Sequence, residues 1–257
     1  VRLTFLGTGT SFGIPQIGCP CPVCTSADPK DRRNRTSVVV QSDGATILVD
    51  TPPELRLAML QAGIGAVDAV LYTHDHADHT HGIDDLRALS GRRRGTVPIY
   101  GPADALERMR HKFDYIFDPL ARPIPGSSRP DVTATAVEPG VEVTVAGLAV
   151  LPLKFSHGPS NVLGYRFGRL AYLTDVKEAA AAERAALAGL DVLVLNALFH
   201  RPHPTHLSIP EAVETARAIG ARRTYLTHLT HETSHAGLLA ELPPGIEPAY
   251  DGLVVEI

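Results

Sequence analysis

The segment His74-Asp75-His76-Ala77-Asp78-His79 packs five side chains able to bind a metal into six residues. Imidazole and carboxylate are donors suited to zinc, manganese or iron. The segment follows directly on a short apolar strand read over residues 66–72 and precedes a helix that starts near Gly82. Loops at the carboxyl ends of strands are where open αβ sheets build their ligand sites. A solvated polar loop has no need of so many ligating groups. The spacing also divides them: His74 and His76 alternate onto one side, and Asp78 and His79 turn toward a second ion.

The rest of the chain supplies sheets to carry such a loop. Residues 2–6, 36–42 and 45–49 alternate or are rich in β-formers, with a turn at Ser42-Asp43-Gly44-Ala45. Residues 53–61 read as a helix, with Pro53 at its start and Gly63 just past its end. Further helices are predicted over 83–89, 103–111, 178–187 and 209–219. Strands are predicted over 97–100, 131–136, 141–145, 148–154, 162–167, 170–174, 191–196 and 222–227. The order is strands, mixed αβ, strands, mixed αβ. It implies an α/β chain folded as an αββα sandwich, one domain over residues 1–257. The proline- and glycine-rich connection 113–130 is expected to serve as a lid or substrate wall.

Composition narrows the function classes. The hydrophobic share of 44% and charged share of 20% are those of a globular protein. No apolar run approaches the ~20 residues that span a bilayer, so no membrane partner is expected. Val1-Arg2-Leu3-Thr4-Phe5-Leu6 alternates like a strand and lacks a signal-peptide pattern, so a cytoplasmic location is expected. The formal net charge of -4 argues against a protein that coats a polyanion, and nucleic acid is not an expected partner. Arg92-Arg93-Arg94 and Arg32-Arg33 are local basic clusters, and the triple reads as solvated loop charge. All three cysteines lie in Gly18-Cys19-Pro20-Cys21-Pro22-Val23-Cys24, which resembles metal-ligand spacing in a reducing compartment rather than a disulfide framework.

Thr73-His74-Asp75-His76-Ala77-Asp78-His79 resembles the signature of the metallo-β-lactamase superfamily. The resemblance implies that fold and two catalytic divalent metals, zinc or manganese, with His74 and His76 on the first and Asp78 and His79 on the second. It also implies downstream ligands, and the chain carries them in order, each closing an apolar strand. His157 in Phe155-Ser156-His157-Gly158 would complete the first triad of histidines. Asp175 in Tyr172-Leu173-Thr174-Asp175 would bridge the metals, and His228 in Tyr225-Leu226-Thr227-His228 would be the last ligand of the second. Asp50, closing Ile47-Leu48-Val49, fits the acidic residue beneath the metal loop, where a carboxylate orients ligand imidazoles.

Within the superfamily, the run from Gly7-Thr8-Gly9-Thr10-Ser11 through the cysteines to Arg32-Arg33-Asn34-Arg35-Thr36-Ser37 resembles one branch in particular. That branch is the phosphoribosyl 1,2-cyclic phosphate phosphodiesterase of phosphonate degradation. There a cysteine trio and a histidine three residues past the last catalytic ligand bind a structural zinc. The matching residues are Cys19, Cys21, Cys24 and His231, with the zinc loop at about 18–25. His231-Glu232-Thr233-Ser234-His235 also spells H-E-x-x-H, but that motif requires a helix, and here it begins at a strand's end.

Two metals roughly 3.5–4 Å apart would generate a bridging hydroxide and clamp an oxyanion during in-line attack. Asp78 would orient that hydroxide by accepting its hydrogen bond. The leaving oxygen needs a proton, and residues 196–208 hold His200, His203 and His206. The branch has a catalytic histidine in the segment matching Pro204-Thr205-His206-Leu207-Ser208, which implies His206 in that role. Asn196-Ala197-Leu198 departs from the branch in not being acidic, and His200, His203 and His235 receive no role.

The expected function is therefore a dinuclear metal-dependent hydrolase: a phosphodiesterase for a small phosphorylated substrate, cyclic diesters included. The resemblance also implies a homodimer. An endoribonuclease of the transfer-RNA 3′-processing kind is an alternative, although no glycine-rich basic arm is evident in the sequence. Thioester hydrolysis of the glyoxalase kind fits the His206 segment less well. A non-catalytic metal-binding scaffold should have lost one or more ligands.

Overall fold

Alternation along the strands decides the layers. In the computed structural model, which describes residues 1–120 and 124–257, Leu3 and Phe5 of β1 (Arg2–Gly7) face a central core. Val38 and Val40 of β2 (Ser37–Ser42) and Ile47 and Val49 of β3 (Ala45–Val49) join them. Leu6, Val39 and Leu48 lie one residue out of step and pack on the opposite face. A one-residue slip would exchange the two sets, so burial on both faces pins the register.

β4 (Ala69–Leu71), β5 (Val97–Gly101), β6 (Val132–Ala136) and the closing β14 (Val254–Glu256) complete the first sheet, in the order β14-β1-β2-β3-β4-β5-β6. The second sheet contains β7 (Val143–Val145), β8 (Leu148–His157), β9 (Ser160–Phe167), β10 (Leu170–Leu173), β11 (Val192–Asn196), β12 (Arg223–Thr227) and β13 (Ile246–Pro248). Its order is β13-β12-β11-β10-β9-β8-β7. In each sheet antiparallel strands give way to parallel ones: β3 to β6 in the first, β10 to β13 in the second. Tyr165, Tyr172, Val192 and Val194 of the second sheet meet Leu3, Phe5, Ile47 and Leu71 of the first in one core.

The outer faces are covered by helices. α1 (Leu55–Gln61), α3 (Leu86–Arg93), α4 (Ala103–Lys112) and α5 (Asp114–Phe117) cover the first sheet, after the short α2 (Ala77–Thr80) of the histidine loop. α6 (Ala181–Ala186), α7 (Ile209–Ile219) and α8 (His235–Glu241) cover the second. The result is the αββα sandwich. α7 starts at a capping box, Ser208 with Glu211, two residues after His206, and ends at Gly220 in the left-handed region. Such a cap is worth roughly 1 kcal/mol and fixes where the His206 loop must end.

Several elements differ from the sequence pattern. β8 and β9 run on as far as His157 and from Ser160, because the hairpin turns on Gly158 at φ 61. α8, β13 and β14 emerge in the proline-rich closing stretch, where short edge strands carry little periodicity of their own. The expected lid of 113–130 contains α5, and its residues 121–123 lie outside the described residues. Among the described residues no helix is long and apolar enough to cross a membrane.

The two arginine clusters part ways. Arg92, Arg93 and Arg94 are exposed, whereas Arg33 is 1% exposed. Its guanidinium donates to Thr230 O at 2.5 Å and Thr233 O at 3.1 Å, and lies 3.7 Å from Asp31. It thereby ties the cysteine-bearing loop to the segment that carries His228 and His231. Arg33→Met should fill the space yet leave two carbonyls and a carboxylate without their partner, costing roughly 3–5 kcal/mol. Urea unfolding measures this, and an unshifted midpoint would refute it.

Candidate metal centre

The two sheets bring the ends of five strands to one edge. Three residues there, Asp50, Asp175 and His228, have φ of 62°, 59° and 58°, in the left-handed region that side chains other than glycine rarely occupy. Each follows a parallel strand, β3, β10 or β12, so the chain kinks as it leaves the sheet. Backbone strain of this kind costs about 1–3 kcal/mol per residue and persists only where neighbours hold it. Asp50 is held by the Thr73 backbone N–H at 2.9 Å, Thr73 Oγ1 at 2.8 Å and His79 Nδ1 at 2.7 Å. The residue after Asp175 is clamped by Asn196, whose Oδ1 accepts from Val176 N–H at 2.7 Å while its Nδ2 donates to Val176 O. Leu229, after His228, donates its N–H to Thr8 O at 2.9 Å.

Donor atoms converge in overlapping groups, with every atom of a group within 4.8 Å of the others. His74, His76 and His157 form one, and Asp78, His79 and His228 another. His74, His79 and Asp175 form a third, so Asp175 stands between the first two. Asp175 Oδ2 lies 3.2 Å from His79 Nε2, and its Oδ1 lies 3.2 Å from His228 Nε2. His206 joins from the α7 side, its Nε2 2.7 Å from Asp175 Oδ1.

The imidazoles are oriented from behind, as metal ligands require. His79 Nδ1 is bonded to Asp50, His157 Nδ1 donates to Thr205 O at 3.0 Å, and His74 Nδ1 contacts Thr73 Oγ1 at 2.9 Å. Each Nε2 is left facing the centre. His74 Nε2, His79 Nε2 and His228 Nε2 are buried with no hydrogen-bond partner among the described residues. Buried nitrogens without partners are costly, and a cation among them would satisfy all three.

Charge supports the same fit. Burial holds His74, His76 and His157 below the usual imidazole range, so their lone pairs need not lose a proton first. Burial also opposes a charged Asp175, yet His228 and His79 outweigh it and keep the carboxylate ionised. Burial likewise works against a charged His79, but Asp78, Asp175 and Asp50 outweigh it and hold that ring well above its usual range. The surroundings of this ring attract a cation.

A second cluster lies apart from the first. Cys19, Cys21 and Cys24 Sγ lie 3.3, 3.4 and 3.5 Å from His231 Nδ1. The edge of a tetrahedron with Zn–S of 2.3 Å and Zn–N of about 2.05 Å is roughly 3.5 Å. The donors and edges fit a closed tetrahedral zinc site. The Cys24 backbone N–H helps draw the Cys21 thiol down to about 6, while burial pushes Cys24 up to about 11. The segment His231–Ser234 is turn rather than helix, α8 starting only at His235, so the helical face required by H-E-x-x-H does not form.

A model of the β-lactamase superfamily domain matches residues 45–229. The chain belongs to the metallo-β-lactamase superfamily. A crystal structure of a diphosphatase from the PhnP family is 42% identical with a TM-score of 0.91, over 100% of this chain and 97% of that one. This hydrolase lies on that PhnP-like branch, and it is a metal-dependent enzyme. An octanoyltransferase of Porphyromonas gingivalis is 40% identical over 256 residues, 98% of this chain but 51% of that protein. The chain thus spans about half of that relative, whose name describes the whole. A ribonuclease Z of Myxococcus xanthus is 27% identical over 100% of this chain and 98% of its own length.

The remaining histidines separate by environment. His200 is exposed and pairs with Glu241 at 2.7 Å, away from the donors. His203 touches Thr205 Oγ1 at 3.2 Å and His206 Nδ1 at 3.3 Å, against the centre. His235 is buried edge-on to Tyr250, with its backbone N–H on Asp31. Sequence reasoning counted Asp75 in the ligand-rich run without giving it a role, and passed over Arg108 and Lys112. Asp75 points away from the donors to accept from Arg108 Nε at 2.8 Å and Lys112 Nζ at 2.6 Å of α4. Burial opposes its charge, but the two cations prevail and bring it down to about 2. The i, i+4 spacing of Arg108 and Lys112 was the available signal. Asn196, noted only for not being acidic, is the clamp beside Asp175.

Proposed function

We propose that this hydrolase is a dinuclear phosphodiesterase acting on a small phosphorylated substrate, cyclic diesters included. The observation that carries the reading is Asp175 standing between two donor groups with His206 against it. His74, His76 and His157 would hold one divalent cation, zinc or manganese, and Asp78, His79 and His228 the other. Asp175 would be shared between them. Such cations supply Lewis acidity and a water of lowered pKa. Asp50 fixes His79, and Thr205 O fixes His157, each by taking the far imidazole N–H. Asp78 would accept the hydrogen bond of the attacking water and set its direction.

His206 would serve the other end of the reaction. Facing an ionised carboxylate, its Nε2 carries the proton, and Nδ1 accepts from Thr205 Oγ1 at 2.8 Å. As water attacks phosphorus and the P–O bond breaks, Nε2–H would stabilise the phosphoryl oxygens and then protonate the leaving alkoxide, while the proton shed by the water passes to solvent and His206 is reprotonated from it. The relation to a PhnP-family diphosphatase supports phosphorus as the reacting centre. Cys19, Cys21, Cys24 and His231 would hold a structural zinc beside this centre.

Metal analysis with a substrate panel tests the reading. The panel comprises bis-p-nitrophenyl phosphate, a 2′,3′-cyclic nucleotide, ribose cyclic phosphate, a thioester and a β-lactam. Turnover of the phosphodiesters is expected, lost on chelation and restored by added zinc or manganese. Turnover of the thioester alone would overturn it.

A further inference from the structure

A continuous wall of rings leaves the candidate metal centre and runs along one cleft. His228 and His206 lie nearly parallel, 15° apart, with centroids 4.9 Å apart. His203 follows at 5.2 Å from His206, and Phe199 at 5.6 Å from His203. The Arg201 guanidinium then lies 3.8 Å over the Phe199 ring. The cleft of about 360 Å³ is lined by these groups and by Phe12 of the glycine loop, a size suited to a small molecule rather than a polymer.

Two features decide what the far end of this cleft can take. Phe12 is 69% exposed, a large apolar ring left in water beside the centre. Arg201 Nη1 lies 2.7 Å from both carboxylate oxygens of Glu232, so its charge is already offset. Phe199 is itself only 8% exposed beneath the guanidinium, so it backs Arg201, and the planar groups left open are Arg201 and the Phe12 ring, which bind π-faces through stacking and cation–π attraction. A bare sugar has no such face.

We propose that Phe12 and Arg201, the latter laid flat on buried Phe199, form a subsite that stacks a nucleobase, so that the phosphoester placed at the metal centre is a nucleotide derivative. The inference rests on the phosphodiesterase reading for its scissile bond but on the ring wall for its substrate class. Calorimetric titration of the purified metal-loaded protein with AMP and with ribose 5-phosphate isolates the base, since the two share the sugar and the phosphate. AMP should bind about tenfold more tightly or better, the scale of one stacked base. Phe12→Ala, at an exposed position, should remove most of that preference and Phe12→Trp restore it, with ribose 5-phosphate changing by less than about twofold. Equal affinities in the wild type, or a preference surviving both Phe12→Ala and Arg201→Ala, would overturn the subsite. Turnover of bis-p-nitrophenyl phosphate separates the two readings. An AMP preference without turnover sinks the phosphodiesterase alone, and turnover without the preference sinks the subsite alone.

Discussion

Asp175→Ala is expected to abolish phosphodiester turnover and to lower the catalytic metal content of the purified protein. Asp175 is 2% exposed, and its two oxygens lie 3.2 Å from His79 and His228 and 2.7 Å from His206. Truncation leaves those imidazoles facing one another with no shared anion. Replacing an outer partner of a metal ligand costs roughly 10–100-fold in affinity or activity, and a carboxylate shared by both donor groups should exceed that. A second variant separates this loss from backbone strain. Alanine at φ 59° costs about 1–2 kcal/mol, whereas asparagine tolerates the left-handed region and removes only the charge. Asp175→Asn should therefore unfold close to the wild type while still losing metal and turnover. Metal analysis by mass spectrometry with kcat/KM reads both effects. Unchanged turnover in Asp175→Ala would refute the bridging role.

Cys21→Ser is expected to remove one metal equivalent and to weaken the fold. The cysteine loop has little core of its own: Ile14, Val23 and Cys24 form a small separate cluster, with Cys19 and Cys21 packed against it. Its long-range anchors are His231, more than two hundred residues away in the chain, and Arg33. A zinc among three thiolates and an imidazole would close that span, and binding of a structural zinc feeds directly into folding free energy. Serine is a poor ligand for so soft a site. The melting temperature should fall by about 10 °C, with one equivalent fewer by metal analysis and two retained at the catalytic donors. Loss of all bound metal from a folded protein would contradict a separate structural site.

The donors of the proposed centre were legible because they obey local rules. His74 to His79 follow an apolar strand and carry the superfamily signature, and the resemblance then pointed to His157, Asp175 and His228, each at or just past the end of another strand. The groups that hold the donors were less legible. Arg33 looks the same in sequence as Arg32, and only burial against Thr230 and Thr233 tells them apart. Asp75 belongs to the densest ligand run in the chain, yet α4 turns it away from the centre. Asn196 acts through the backbone of Val176, a contact across two neighbouring parallel strands that no spacing rule announces.

The amino-acid sequence by itself determined the donor types, the strand ends that carry them and the αββα layering. Each of these depends on short-range periodicity and on the chemistry of single side chains. Only the tertiary structure decided which donors meet, that Asp175 stands between two of their groups, and that His206, His203, Phe199 and Arg201 align into one wall. The physical reason is distance along the chain. Cys21 and His231 are 210 residues apart, and His79 and Asp50 are 29 apart. The second contact forms when β3 and β4 pair within the first sheet, and the first exists only once the whole chain has folded back to bring its two ends together.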